Sequence, residues 1–275
     1  MKNLFLSEWE RLWSRQSIWL LLAFMPALSL ITALLFLRSN QGMSPNRPDY
    51  ATALNFPVLG LSEHLFITFN IILLLLAGYI ITEEYQKGQL RLILLRSYSM
   101  SQIFVSKLAV MAVVLFLFLF VYFLSSALVG AVFFEKPSQS LLFISENIVS
   151  NRAMMFYSFY YYVIAYFTCL AMLGLLVFIG IICSSMNAVL GVGFTFIFFS
   201  IAIPQLLENS TAFGESSPVS ALLAYSSVPK IQYTGISLFL SGWDYSYWIA
   251  GITLIYIIAF VTLSYLLFTR RSYFI

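Results

Sequence analysis

The sequence predicts an all-α, polytopic membrane protein with six transmembrane helices, and three observations carry that expectation. Of 275 residues, 61% are hydrophobic and only 9% are charged, against about 25% charged in a soluble domain. The stretches free of Asp, Glu, Lys, Arg and His run from Gln16 to Leu37, Leu65 to Thr82, Leu108 to Phe134, Ala153 to Leu207 and Ser246 to Thr269. These runs are continuous and rich in Leu, Ile and Phe, whereas barrel strands alternate apolar and polar faces in segments of about 10 residues. Such a composition cannot cover a water-facing surface. It excludes a soluble enzyme, a disordered chain, a disulfide scaffold and an ordinary nucleic-acid binder.

A hydrocarbon core about 30 Å thick needs roughly 20 helical residues. Each stretch therefore holds one crossing except the fourth, which holds two around the polar break Ser184-Ser185-Met186-Asn187. The spans fall at about 18–37, 61–82, 107–133, 155–183, 188–204 and 247–268, within one transmembrane unit covering 1–275. Before the first span, Phe5, Trp9, Leu12 and Trp13 recur on one helical face, with Glu8, Arg11, Ser14 and Arg15 on the rest. This is the pattern of a helix in the membrane interface with its indoles at headgroup depth. It either anchors the first span or touches a partner protein, its polar face being free. The acidic pair Glu8 and Glu10 and the lack of a small-residue cleavage site favour a retained first helix over a cleaved signal peptide.

With six spans both ends share a side. That side carries Lys2, Arg11, Arg15, Lys87, Arg91, Arg96, Lys107, Arg270 and Arg271, against Arg38, Arg47, Lys136, Arg152 and Lys230 on the other. The positive-inside rule then places both termini and the 83–106 loop in the cytoplasm.

Several chemistries are missing. Cys169 and Cys183 sit 14 residues apart on one predicted helix, about 21 Å, too far for a disulfide, and read as inert buried thiols. A single His excludes a His-cluster metalloprotease and a metal site of that kind. No Gly-x-Ser-x-Gly or Gly-x-x-x-x-Gly-Lys-Ser/Thr motif is present, so the chain has no phosphate loop of its own. No Asp, Glu, Lys or Arg falls within a predicted hydrophobic core, which argues against an ion-coupled carrier; Glu63 and His64 are expected at the outer end of the second span.

The 83–107 segment is longer and more charged than a connector requires. Leu90, Ile93 and Leu94 form a helical stripe, Gly88 permits a turn, and Ser99-x-x-Gln102 fits a capping box that restarts the helix leading into the third span. The residues read as helix end, short transverse helix, sharp turn and new helix.

This run resembles the cytoplasmic signature of bacterial ABC-2-type transporter permeases, through Glu83, Glu84, Gly88, Leu90, Arg91, Leu94, Ser99 and Lys107. Two positions depart from it: Ser97 stands where a proline is often found, and Met100 where an Arg often follows the serine. The six-span layout, the interfacial first helix and the long outer segment fit the same family. The resemblance implies a permease subunit that pairs with a second permease, identical or related, and with two separate ABC ATPase subunits that bind ATP and Mg. The permease itself binds no cofactor and catalyses no reaction. The region 83–98, with Arg96 in it, would be the helix that enters a groove of the ATPase; otherwise it is a loop ordering itself at the interface.

The outer segment 205–246 carries Pro204, Pro218 and Pro229 around apolar patches Val219–Tyr225 and Ile236–Leu240, too short to span. It reads as re-entrant or interfacial helices, and the resemblance implies an outer lid. The fourth span opens on a run of aromatics. Its Tyr157, Tyr160, Tyr161 and Tyr166 form an interfacial belt or line a route for an amphipathic substrate. The expected function is export of an amphipathic or hydrophobic molecule, such as an antimicrobial peptide or an antibiotic, across a bacterial cell membrane. Two alternatives stay open: a pore or scaffold subunit without ATP coupling, and a lipid-modifying enzyme using Glu63 and His64.

Overall fold

The computed structural model describes residues 2–45, 47–86, 98–136, 139–142, 148–209 and 218–270. Among these, six helices are long and apolar enough to cross a membrane, and the chain is a multi-pass membrane protein. A short interfacial-type helix α1 (Lys2–Trp13) leads into α2 (Gln16–Asn40). The second span, α3, is one continuous helical run: Phe56–His64, the π-helical turn Leu65–Phe69, Asn70–Ala77, the π-helical turn Gly78–Thr82 and Glu83–Gln86. The remaining spans are α4 (Met100–Phe133), α5 (Asn151–Ile182), α6 (Met186–Asn209) and α9 (Ser246–Arg270).

Every expected span is present, most of them longer than the charge map suggests. The third begins at Met100 rather than 107, because Ser99 accepts from the Gln102 amide while the Gln102 side chain accepts from the Ser99 amide, a complete capping box. The second begins at Phe56, so Glu63 and His64 lie inside it rather than at its end. One departure from an all-α chain is a small antiparallel hairpin, β1 (Gln139–Leu141) with β2 (Ile148–Ser150), paired Gln139 to Ser150. The Ser150 hydroxyl then accepts from the Ala153 amide and caps α5.

Burial sorts the spans into inner and outer. The most apolar windows of α3 and α5 are 67% and 72% buried, against 28%, 17% and 17% for α2, α6 and α9. The two inner helices pack on each other, α9 lies along α5, and α2 lies along α4. The main core cluster runs from Leu4 and Leu12 through Phe69, Met111, Phe118 and Met172 to Ile236, with two smaller clusters around Phe56 and Ile231.

The described part of the 205–246 segment folds back along the bundle as short helices. After α6, α7 (Pro218–Ala224) packs back along it, and the Ser227 hydroxyl at the tip donates to the Ser200 carbonyl of α6. Ser200 is nine residues, about 13 Å, short of the helix end. The chain then rises as α8, made of Val228–Lys230, the π-helical turn Ile231–Gly235 and Ile236–Leu240. Gly242, with φ of +78°, supplies the left-handed turn toward α9. Gln232 of α8 is fully buried and accepts from the Asn70 amide of α3 at 2.7 Å, while its own amide reaches the Asn70 oxygen at 3.4 Å and the Cys169 sulfur at 3.7 Å. This polar knot pins the hairpin to both inner helices.

Replacing Gln232 by Leu leaves the buried Asn70 amide short of a partner, which costs about 1–3 kcal/mol and lowers the melting temperature in detergent. The double replacement of Asn70 and Gln232 by Leu removes both ends of the bond and is expected to recover most of that loss.

Candidate functional site

The density of charge that the composition denies to the spans is gathered at one end of the bundle, the end holding α1 and the close of α9. Lys107 sits seven residues into α4 with its side chain 1% exposed. Its ammonium donates to Glu8 Oε2 at 2.9 Å and to Glu84 Oε2. Arg11 pairs with the same two carboxylates, at 2.9 Å to Glu84. Arg15 donates to Glu83 at 2.6 Å, stands 3.7 Å from the other Glu84 oxygen and lies over the Tyr79 ring. Among the described residues, three carboxylates thus meet three cations.

Local sequence explains how four segments supply it. Leu4, Glu8 and Leu12 lie one helical turn apart and form the buried face of α1, so docking the two leucines carries Glu8 in with them. Arg15 occupies the break between α1 and α2. The second π-helical turn of α3 ends at Thr82 and delivers Glu83 and Glu84 together; such turns re-phase a helix and recur at functional sites. Close by, the Thr82 hydroxyl donates to the Gly180 carbonyl and the Gln86 amide to the Ser184 carbonyl, tying the end of α3 to the turn between α5 and α6. A Cβ on Gly78 would stand 2.5 Å from the Met186 sulfur, so glycine there lets α6 start against α3.

The sequence-predicted coupling residues divide accordingly. Glu83, Glu84 and Lys107 converge in the cluster, and Ser99 caps α4. Gly88, Leu90, Arg91, Leu94 and Arg96 lie outside the described residues. The first helix differs from its expected packing. Leu12 is buried, but Phe5, Trp9 and Trp13 are only partly covered and run as a ring ladder on to Trp19, with centroid spacings of 6.2, 5.4 and 4.9 Å. The polar face is not free, because Glu8 points into the cluster. Nor is the bundle interior clear of ionisable groups: Lys107 is within α4, and His64 lies within α3. His64 is half-buried, its Nε2 2.5 Å from the Thr32 hydroxyl and its ring against Tyr122.

The tyrosines do not share one surface. Tyr160 is exposed, Tyr157 and Tyr161 bury their hydroxyls beside Ser237 of α8, and Tyr166 donates to the Ala112 carbonyl. Tyr162, not singled out by the sequence, donates to the Pro57 carbonyl at 3.0 Å. Both cysteines are free; Cys169 meets Gln232, and burial pushes the Cys183 thiol up. No group of three or more His, Cys, Asp or Glu suited to a metal ion is found among the described residues.

Arg11, Arg15 and Gln232 are the partners that sequence reasoning missed. A carboxylate centred in a Leu4–Glu8–Leu12 stripe was the available signal for Glu8. Residues 27–274 match the family described as Protein of unknown function (DUF2705), and the chain belongs to that family. The match takes in Glu83, Glu84 and Lys107 and begins beyond α1. No curated protein matches the chain.

Removing Lys107 alone strands Glu8 and Glu84 on Arg11. Lys107→Met is expected to cost about 3–5 kcal/mol, read as a lower midpoint of denaturant or thermal unfolding in detergent. Combining it with Glu8→Gln restores the charge balance, and the double variant should be the more stable of the two.

Proposed function

We propose that this member of the DUF2705 family is the membrane-spanning permease subunit of an ATP-driven exporter, resembling ABC-2-type permeases, in a bacterial cell membrane with both termini in the cytoplasm. The observation that carries this reading is where the ion cluster sits. Glu83 and Glu84 are the last acidic residues of α3 before the 87–97 segment, and Lys107 stands just inside the helix that follows it. A partner pressing on that segment would act on the two helices flanking it, and the cluster welds both to α1.

The rest of the reading follows from what the chain contains. The sequence has no phosphate loop, so ATP and Mg would be held by two separate ATPase subunits, with a second permease, identical or related, completing the membrane part. The described carboxylates of the cluster are each paired with a cation, which suits a structural joint better than an ion-coupling site, where a group must gain and lose its ion. Motion of α3 would reach the re-entrant hairpin through Asn70 and Gln232. The cargo is an amphipathic or hydrophobic molecule, such as a peptide or an antibiotic, matching inner surfaces built of aromatic rings and hydroxyls.

The experiment asks whether the reading frame beside the gene encodes a P-loop ATPase and whether that ATPase co-purifies with this chain, together with an export assay. Charge reversal of Arg91 and Arg96 to Glu is expected to release the ATPase and abolish export, with a monodisperse size-exclusion profile in detergent establishing that the variant is folded. Retention of the ATPase with continued export would overturn the coupling role.

A further inference from the structure

Two cavities lie along the crevice between α4 and α5 and share Phe123 in their walls. The one nearer the middle of the bundle, about 380 Å³, is walled by aromatic and aliphatic side chains, among them Phe116, Phe120 and Tyr166. The one toward the β-hairpin, about 490 Å³, is opened by the small residues Ala127 and Ala131 and ends at Lys136 and Asn151. Lys136 is the one charged residue in either lining.

Length and polarity together define an occupant. From Phe116 to Ala131 is 15 residues of α4, about 22 Å, while one leaflet of hydrocarbon is about 15 Å deep. The crevice therefore covers the depth of one leaflet and continues into the headgroup layer. Its wall changes character on the way, from rings at the deep end to an ammonium and an amide where the helices end. Arg152 stands beside Asn151 and is exposed, and the N-terminus of the 32-residue α5 adds its positive dipole end at the same place. Among the described residues the acidic neighbour in sequence is Glu135, whose backbone carbonyl accepts from the Ala53 amide. Lys136 and Arg152 outnumber it at the described rim of the mouth.

We propose that this crevice is a binding site for an anionic glycerophospholipid from the leaflet at the β-hairpin end. One acyl chain lies along Phe116, Phe120 and Tyr166, and the phosphate meets Lys136 with Asn151 as a second donor. A basic pocket between spans that recognises an anionic headgroup is an established kind of lipid contact. The site stands on the shape and charge of the crevice alone, so it holds whatever the protein transports.

The test is photolabelling of the full-length protein in phosphatidylcholine vesicles doped with a phosphatidylglycerol bearing a mid-chain diazirine, or with the matching phosphatidylcholine probe. Labelled peptides are located by mass spectrometry. The phosphatidylglycerol probe is expected to label residues 116–123 and 159–166 several-fold more than the phosphatidylcholine probe does. Lys136→Glu should bring that labelling down to the phosphatidylcholine level, Lys136→Arg should preserve it, and Ala127→Phe should suppress it by filling the crevice. Size-exclusion profiles of the variants establish that they are folded. Equal labelling by the two probes, indifference to Lys136→Glu, or equally strong labelling at the exposed Leu34 and Leu35 of α2 would each reduce the crevice to ordinary bilayer contact and overturn the proposal.

Discussion

A charge buried in a helix bundle must be met by an opposite charge and by hydrogen bonds, or the fold does not hold together. Lys107 imposes that condition here. It is placed inside α4 by a helix that starts at its Ser99 cap, eight residues earlier, and its side chain is only 1% exposed. Two carboxylates, from α1 and from the end of α3, must therefore come to it. Each brings a further demand, because Glu8 and Glu84 together outweigh one ammonium, and Arg11 and Arg15 answer it. The position of α1 across the bundle end, the meeting of α3 with α4 and the direction in which the chain leaves α3 all follow from satisfying one lysine.

The same rule works without charge farther along the bundle. A hairpin folded back along α6 brings helix ends and a turn into the packed bundle, where polar groups need internal partners. Ser227 bonds the Ser200 carbonyl, and Gln232 exchanges bonds with Asn70 and touches Cys169. The hairpin is thus held by a neutral knot, where weak sulfur and amide contacts suffice. The charged cluster lies instead where the spans end, within reach of the headgroup layer. Depth decides which kind of polar joint the fold uses.

What the sequence discloses of this arrangement follows from the range of the interactions. The six spans are legible because each is a local run of apolar residues, and the Ser99 to Gln102 capping box because its partners are three residues apart. The broken apolar patches around Pro218 and Pro229 announce short helices that do not span for the same reason. Glu8 and Lys107 are 99 residues apart and Asn70 and Gln232 are 162 apart, and no local pattern links them. The charge map also errs where burial is decided by tertiary contact. It set Lys107 at the start of a span because a lysine seemed to end the apolar run, while the helix cap lies eight residues upstream. It left the polar face of α1 open because the partners of Glu8 come from other helices.

These two joints are attached to one helix, and that gives α3 a particular mechanical place. Glu84 and Asn70 are 14 residues apart along it, roughly 21 Å, with Thr82 bonded to the α5 carbonyl of Gly180 near the first and Cys169 of α5 joining the knot at the second. A displacement of the ion cluster along the α3 axis must then either slide the helix as a whole, carrying Gln232 and the hairpin with it, or be taken up between the two joints. The only irregular backbone between them is the π-helical turn Gly78–Thr82. A second such turn, Leu65–Phe69, lies immediately beyond Asn70 and packs against α8. The stretch Asn70–Ala77 is regular and nearly wholly buried, so it behaves as a strut between two points where hydrogen-bond register is already loosened. Movement at the charged end is thereby steered toward the hairpin rather than spread evenly through the bundle, because the strut is a regular helix packed along α5.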